Sequence, residues 1–313
     1  MKRVVCLLLL FCLTAPAAWG EVPEPVERAR RSVVQLYGMG TDSETGLRSR
    51  WSGTGFAVGI AGENSDIFLT NWHVATGSGK YADDQVELWL LKEDAQFGPD
   101  YRPLEGSGVK CRVLITTDGY PDVAVVQAME PVTGYPALPL MPTSRAAEGA
   151  KVYALGFSGL ESVSRSGPED VSLTAGTIRD HLVMKNAGDS QAVIHSAPIR
   201  HGFSGGPLVN EHGTAAAQNT YGFEADVSTE LFCALYLEYG MELLDRLNIP
   251  YTLADEPGTG LLRRPDIGTA LAAVLSIAAA LTLLARLVKT ARQTLAEPGQ
   301  KRAARREEPP HEN

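Results

Sequence analysis

The sequence predicts an all-β domain closed by one helix. Glycine and proline are frequent, at 31 and 19 of 313 residues, which suits a turn-rich β protein better than a helical bundle. Short apolar runs alternate with turn signals such as "TGSGK", "TTDGYPD" and "NEHG". One late segment, Leu237–Ile249, instead repeats its apolar residues at helical spacing. Paired barrels or a sandwich is the architecture that such a set favours.

Twelve short segments are candidate strands. The first six are Ser32–Tyr37, Gly53–Val58, Ile67–Thr70, Gln85–Leu91, Lys110–Thr116 and Val123–Ala128. The second six are Lys151–Gly156, Val171–Ile178, Ala192–Ile194, Pro207–Val209, Thr214–Asn219 and Leu231–Leu237. The proline-rich stretch Gly134–Ser144 falls between the two sets, so it is the natural linker between two halves of a domain that covers residues 26–251.

Apolar segments of different length lie near the two ends of the chain. Residues 1–20 have a basic start, a short apolar run and small residues at the end, which predicts a secretory signal peptide cut near Gly20; an uncleaved anchor is the alternative. Residues 267–288 carry no charge before Arg286 and are long enough to cross a bilayer as one helix; a buried soluble helix is the alternative.

These segments predict a topology. The basic tail, residues 289–313, is expected in the cytoplasm, and the main domain is expected in the periplasm or outside the cell. Residues 252–266 are interpreted as a stalk between that domain and the cell membrane. The net charge of −9 gives no indication of nucleic-acid binding.

Only two cysteines, Cys111 and Cys233, lie beyond the signal peptide. An exported chain could join them in a disulfide. Cys111, however, shares its predicted strand face with Val113 and Ile115, which makes it a core residue. Two buried free thiols are therefore favoured over a disulfide.

Two serines lie in glycine-rich stretches, Ser204 in "RHGFSGGPLVN" and Ser158 in "LGFSG". A serine hydroxyl is a poor nucleophile until a base takes its proton, and that base is usually a histidine held by a carboxylate. His73 follows an apolar run at its exit, and Asp122 opens the apolar strand "DVAVVQ". Glycines around Ser204 allow the amides of Gly202 and Ser204 to point at one oxyanion. Ser158 lacks the third glycine and the following apolar strand, and is interpreted as part of a turn.

The motifs "GTGFAV…FLTNWHV", "DVAVVQ" and "GFSGGPLVN" resemble those of the chymotrypsin-like serine proteases, and most of all the bacterial HtrA branch. The resemblance runs from about Val33 to about Leu247. It implies two six-stranded antiparallel β-barrels with a C-terminal helix, here followed by one transmembrane helix. It also implies that His73 is the general base, Asp122 its orienting group and Ser204 the nucleophile, with the amides of Gly202 and Ser204 as the oxyanion hole.

The resemblance extends to the substrate site. The stretch "HGTAAAQNT" resembles the strand on which substrate backbone pairs, which assigns Ala217, Gln218 and Asn219 to substrate binding. Pro198 stands where trypsin-like specificity would need an aspartate, so small or medium apolar side chains are expected in the specificity pocket. The resemblance implies protein or peptide substrates and no metal or cofactor. No PDZ module is expected after the terminal helix.

Phe203 departs from the HtrA pattern, in which asparagine is usual. If its ring finds an apolar pocket only when a ligand is bound, the Gly202 amide rests turned away and the free enzyme is sluggish. Phe203 thus keeps open a catalytically silent domain that binds peptides or partner proteins. The stretch also fits the G-x-S-x-G pattern of α/β-hydrolase esterases, but that fold needs its acid and histidine after the serine, where only His212 and His311 follow.

Overall fold

Twelve strands close into two antiparallel barrels of six. The computed structural model describes residues 21–42, 44–81, 85–223, 231–256 and 259–263. The first barrel contains β1 Val33–Thr41, β2 Arg48–Ala57, β3 Ile67–Thr70, β4 Val86–Leu91, β5 Gly108–Thr116 and β6 Ala124–Ala128. The second contains β7 Lys151–Gly156, β8 Ser172–Met184, β9 Ser190–His195, β10 Pro207–Asn210, β11 Ala215–Phe223 and β12 Leu231–Tyr236. The strand orders are β1-β2-β3-β6-β5-β4 and β10-β11-β12-β9-β8-β7.

Each predicted strand is confirmed in place, and the bounds differ mainly at the ends. Ile67–Thr70 and Lys151–Gly156 have the predicted bounds. The second half of β8 was missed: it continues to Met184 because β9 pairs along it as far as Met184↔Ser190. In that half, apolar and polar residues alternate over only a few positions and Val183 is exposed, so the sequence pattern for a strand is weak there.

Three α-helices flank the barrels in the described part of the chain: α1 Glu24–Ala29, α2 Trp72–Thr76 and α3 Glu238–Arg246. The sequence predicted α3, which buries Met241, Leu243 and Leu244 in the largest core cluster. That cluster draws residues from both barrels, including Phe56 from β2 and Leu155 from β7. This cluster therefore packs the two barrels against each other.

The segment from Gly134 to Ser144 connects β6 to β7, as its prolines predicted, but it is packed against the protein. Leu140 is fully buried. Its amide donates a hydrogen bond to the Thr252 carbonyl (2.9 Å), and the Met141 amide donates one to the Ala215 carbonyl (2.8 Å). The connection therefore fixes the barrels as well as joining them.

The predicted stalk over residues 252–266 is wrong for the residues described. Two strands, β13 Tyr251–Glu256 and β14 Thr259–Arg263, pair as an antiparallel hairpin. Tyr251 is fully buried, and the Ala254 amide donates a hydrogen bond to the Leu140 carbonyl (2.7 Å). The run "YTLADEPGTG" contributes to two paired strands where a linker was read, so the folded domain continues past residue 251.

Cys111 and Cys233 are free thiols, as the sequence favoured. They lie in different barrels, on β5 and β12, and burial raises the pKa of each thiol to about 12. The predicted face of β5 is only partly correct, because a bulge between Val113 and Ile115 shifts the pairing with β6. Val113 is consequently 39% exposed, although it was expected in the core.

The predicted signal peptide (residues 1–20), transmembrane helix (267–288) and tail (289–313) lie outside the described residues. Within the described ranges, no helix combines the length and the apolar character needed to cross a bilayer.

Candidate active site

His73 and Asp122 meet because β3 and β6 are antiparallel neighbours. Thr70, the last residue of β3, pairs with Ala124, the first residue of β6. His73 lies three residues after one strand end and Asp122 two residues before the other, so both stand at the same rim of the first barrel. The imidazole Nδ1 is 2.7 Å from Asp122 Oδ2.

The Asp122 carboxylate is held by a small hydrogen-bond network. The backbone amide of His73 donates to Oδ1 (2.9 Å), and the Thr220 hydroxyl donates to Oδ2 (3.0 Å). Asn71 donates from Nδ2 to the Asp122 carbonyl (2.7 Å). A carboxylate accepts only, so Nδ1 carries the ring proton and Nε2 is the nitrogen left as a base. Thr220 and Asn71 were missed from the sequence, although Thr220 is the last residue of the stretch "HGTAAAQNT" read as the substrate strand.

The loop around Ser204 is fixed against the first barrel by Thr54 of β2. The Thr54 amide donates to the Ser204 carbonyl (2.9 Å), and the Thr54 hydroxyl donates to the Gly202 carbonyl (2.6 Å). Gly205 has φ +87°, and a Cβ there would stand 2.2 Å from the Thr54 carbonyl oxygen. This position therefore needs a glycine for both its conformation and its close approach.

Two amides of the loop are open at the cleft. The amides of Phe203, Gly205 and Gly206 donate to backbone carbonyls within or near the loop. In the part of the chain that the structure describes, the amides of Gly202 and Ser204 have no protein acceptor. Gly202 has φ +97°, a conformation that side-chain-bearing residues rarely adopt. Two such donors beside one hydroxyl are what an oxyanion site requires.

The Ser204 hydroxyl is turned away from His73. It donates a hydrogen bond to the Thr220 carbonyl (2.7 Å), and the described hydrogen bonds include none between Ser204 and His73. Attack would require the hydroxyl to give up its hydrogen bond to the Thr220 carbonyl and offer its proton to His73.

Ser204 and His73 line the same cleft of about 720 Å³ between the barrels. Ser158 also lines this cleft. It lies just after β7, in the turn that the sequence predicted. Its hydroxyl lies 3.3 Å from that of Ser172 and has no histidine partner among the described hydrogen bonds. Neither serine is bonded to a histidine among the described hydrogen bonds, but only Ser204 belongs to the loop whose Gly202 and Ser204 amides are open.

A match to a family model identifies the family of this chain. A model of the trypsin-like peptidase domain matches residues 53–217, just over half of the 313 residues. The chain belongs to the trypsin-like peptidase family. A solved structure of the HtrA-type protease AlgW with tripeptide is 21% identical, with a TM-score of 0.50, covering 71% of this chain and 62% of its own. Agreement at that identity shows a common fold, and this chain spans less than two thirds of that structure. No curated protein sequence matches.

The assignment of Ala217, Gln218 and Asn219 to substrate binding is wrong for this trypsin-like peptidase. All three are buried in β11, and both edges of the strand are occupied there. β12 pairs with one edge, and β10 pairs with the other as far as Gln218. Beyond it, the Gly205 amide donates to the Asn219 carbonyl and the Asn219 amide donates to the Gly206 carbonyl. The open edge of β11 starts only after Asn219, because β10 pairing ends at Gln218. Substrate pairing with this strand stays a prediction, and the open edge lies a few residues beyond the predicted register.

Pro198 and the neighbouring histidines divide between surface and core. Pro198 is exposed, lies outside the 720 Å³ cleft, and accepts a hydrogen bond from the Thr174 hydroxyl (2.7 Å). Its role in specificity stays a prediction. His195 is fully buried, and desolvation lowers its pKa to about 4, so it is neutral at physiological pH. His201 is exposed and lines the cleft.

Phe203 has its apolar pocket in the protein without ligand. Its side chain is fully buried in a cluster of the second barrel that includes Ala154 and Leu208. Its ring packs so closely on Gly156 that a Cβ there would stand 2.9 Å from the ring. The pocket is thus built by the core residues of the second barrel, and the sluggish resting state stays a prediction.

Phe203→Asn is accordingly expected to destabilise the peptidase rather than activate it. The change removes most of a buried ring and places an amide among apolar groups, which we expect to cost at least about 3 kcal/mol of unfolding free energy. Phe203→Leu, the matched control, keeps an apolar side chain and should cost less. Urea unfolding measures both. A Phe203→Asn variant as stable as the parent and faster per titrated site would support the idea of a latent oxyanion hole.

Proposed function

We propose that this trypsin-like peptidase is an active serine endopeptidase. His73 is the general base, Asp122 orients it and Ser204 is the nucleophile. The observation that carries the proposal is the His73–Asp122 pair at 2.7 Å, in the same cleft as Ser204. The open amides of Gly202 and Ser204 support an oxyanion hole.

The chemistry follows from these groups. As Ser204 Oγ bonds to the scissile carbonyl carbon, Nε2 of His73 takes the hydroxyl proton and the carbonyl electron pair moves onto oxygen. The amides of Gly202 and Ser204 stabilise that negative charge. Collapse breaks the C–N bond, and the leaving amine takes the proton from His73. Water then attacks the acyl-enzyme by the same sequence, which releases the new carboxyl group and restores Ser204.

The acyl side of the substrate would pair with β11 beyond Asn219. Residues 221–223 pair with β12 on one edge only, and β10 has ended on the other. An extended peptide adding to this edge would present its carbonyl beside Ser204. Protein or peptide substrates suit this mode of binding better than small esters.

We also propose that the peptidase domain is exported and tethered to the cell membrane by residues 267–288, on the sequence pattern alone. An epitope at Asn313 should then be protected when a protease is added outside spheroplasts, while the peptidase domain is digested or released. An epitope that is digested from outside would contradict this orientation.

A fluorophosphonate probe tests the proposed activity against a silent peptide-binding domain. The full chain should be labelled, and labelling should be lost in both Ser204→Ala and His73→Ala. Ser158→Ala is the matched serine control and should still be labelled. A folded parent that takes no label and cleaves no peptide would contradict the endopeptidase and favour the silent domain.

A further inference from the structure

The cleft beside Ser204 has a basic lining that comes from separate parts of the chain. Arg50 belongs to β2, Lys80 follows α2, and Arg200 and His201 lead into the Ser204 loop. All four are exposed. The described residues that line the cleft include no aspartate or glutamate. The whole chain carries a net charge of −9, so this lining runs against the charge of the protein.

Two of these cations are held in position without being neutralised. The Arg50 guanidinium lies 3.8 Å from the centroid of the Tyr101 ring, and that of Arg200 lies 6.0 Å from the centroid of Phe203. Cation–π contacts orient a guanidinium but leave its charge available. Among the described residues, Arg50, Lys80 and Arg200 have no ion pair, whereas Arg102 is paired with both Glu87 and Asp100.

The position of the cleft relative to Ser204 identifies the part of a substrate that enters it. The proposed acyl side runs along the open edge of β11, and none of the described cleft residues belongs to β11. The chain on the other side of the scissile bond must therefore leave across this cleft. Its wall includes the stacked rings of Trp51 and Tyr81 (centroids 5.9 Å apart), which partly exclude water beside the cations.

We propose that this protein selects substrates with acidic residues on the C-terminal side of the scissile bond, bound by Arg50, Lys80 and Arg200. The inference rests on the proposed endopeptidase activity and names the specificity of the same site. A substrate carboxylate would meet three charges from three segments, so attraction is expected for several positions rather than one. Exposed ion pairs contribute little each, so the preference is moderate and depends on salt.

The test starts with the full chain and a library of peptides derived from a digested proteome. Mass spectrometry of the new termini gives the residues on both sides of each cleaved bond. We expect aspartate and glutamate to be enriched over the first few positions after the bond. One well-cleaved peptide is then compared with its Glu→Gln counterpart, and kcat/KM should favour the acidic peptide by roughly three- to thirtyfold at low salt, the range for one or two exposed pairs.

The variant Arg50→Gln/Lys80→Gln/Arg200→Gln should bring that ratio close to one. Lys151→Gln, an exposed lysine outside the cleft, is the matched charge control and should keep the ratio. High salt should shrink the ratio in the parent. Cleavage that requires Ser204 but shows no acidic preference, or a preference that survives the triple change, overturns this inference alone. A folded chain without fluorophosphonate labelling or cleavage overturns the proposed activity and this inference with it.

Discussion

Ser204→Ala is expected to lower kcat/KM for peptide hydrolysis by about 10³-fold or more while the fold is retained. The substitution removes the hydroxyl that shares a cleft with His73 and belongs to the loop with the open amides. The loss should appear mainly in kcat, because the cleft and the edge of β11 still bind peptide. Circular dichroism and urea unfolding would check that the variant is folded.

Ser158→Ala is the matched control for that experiment. Ser158 lines the same cleft, but its hydroxyl lies beside Ser172 rather than a histidine. Its removal should leave most of the activity. If Ser204→Ala kept near-normal hydrolysis while Ser158→Ala lost it, the nucleophile would have been assigned to the wrong serine.

Local sequence patterns were enough to predict the barrel strands, but not all of their ends and irregularities. All twelve barrel strands were predicted because each is a short apolar run between turn signals. The bulge beside Val113 depends on pairing with β6, and the extension of β8 depends on pairing with β9. The sequence of one strand does not show which strand pairs with it. The β13–β14 hairpin was missed because a Pro-Gly turn also fits a linker, and only the packing of Tyr251 distinguishes the two.

The residues of the candidate site that belong to sequence motifs were predictable. The motifs that resemble chymotrypsin-like proteases pointed to His73, Asp122 and Ser204. The structure puts His73 and Ser204 in one cleft and Asp122 2.7 Å from His73. The hydroxyl of Ser204, by contrast, rests on the Thr220 carbonyl, which depends on a rotamer that the sequence cannot show. The basic lining of the cleft was also missed, because Arg50, Lys80 and Arg200 are far apart in the chain.

Asp122→Asn is the second large effect expected, a fall in kcat of about 10⁴-fold at neutral pH. The carboxylate now accepts from Nδ1 of His73, from the His73 amide and from the Thr220 hydroxyl. An asparagine whose carbonyl oxygen keeps the hydrogen bond from the His73 amide puts its NH₂ group where Oδ2 stood, facing Nδ1. The imidazole then moves its proton to Nε2, where it can no longer accept the proton of Ser204.

Thr220→Val separates this loss of the base from a general loosening of the network. It removes one hydrogen bond to Asp122 but keeps the Thr220 carbonyl and the negative charge, so we expect at most about a tenfold fall in kcat. Steady-state kinetics on one peptide compares the two variants, and KM should change little in either. If both variants lost activity equally, Asp122 would act mainly by supporting the local structure. If Asp122→Asn lost less than tenfold, His73 would not depend on it for its tautomer.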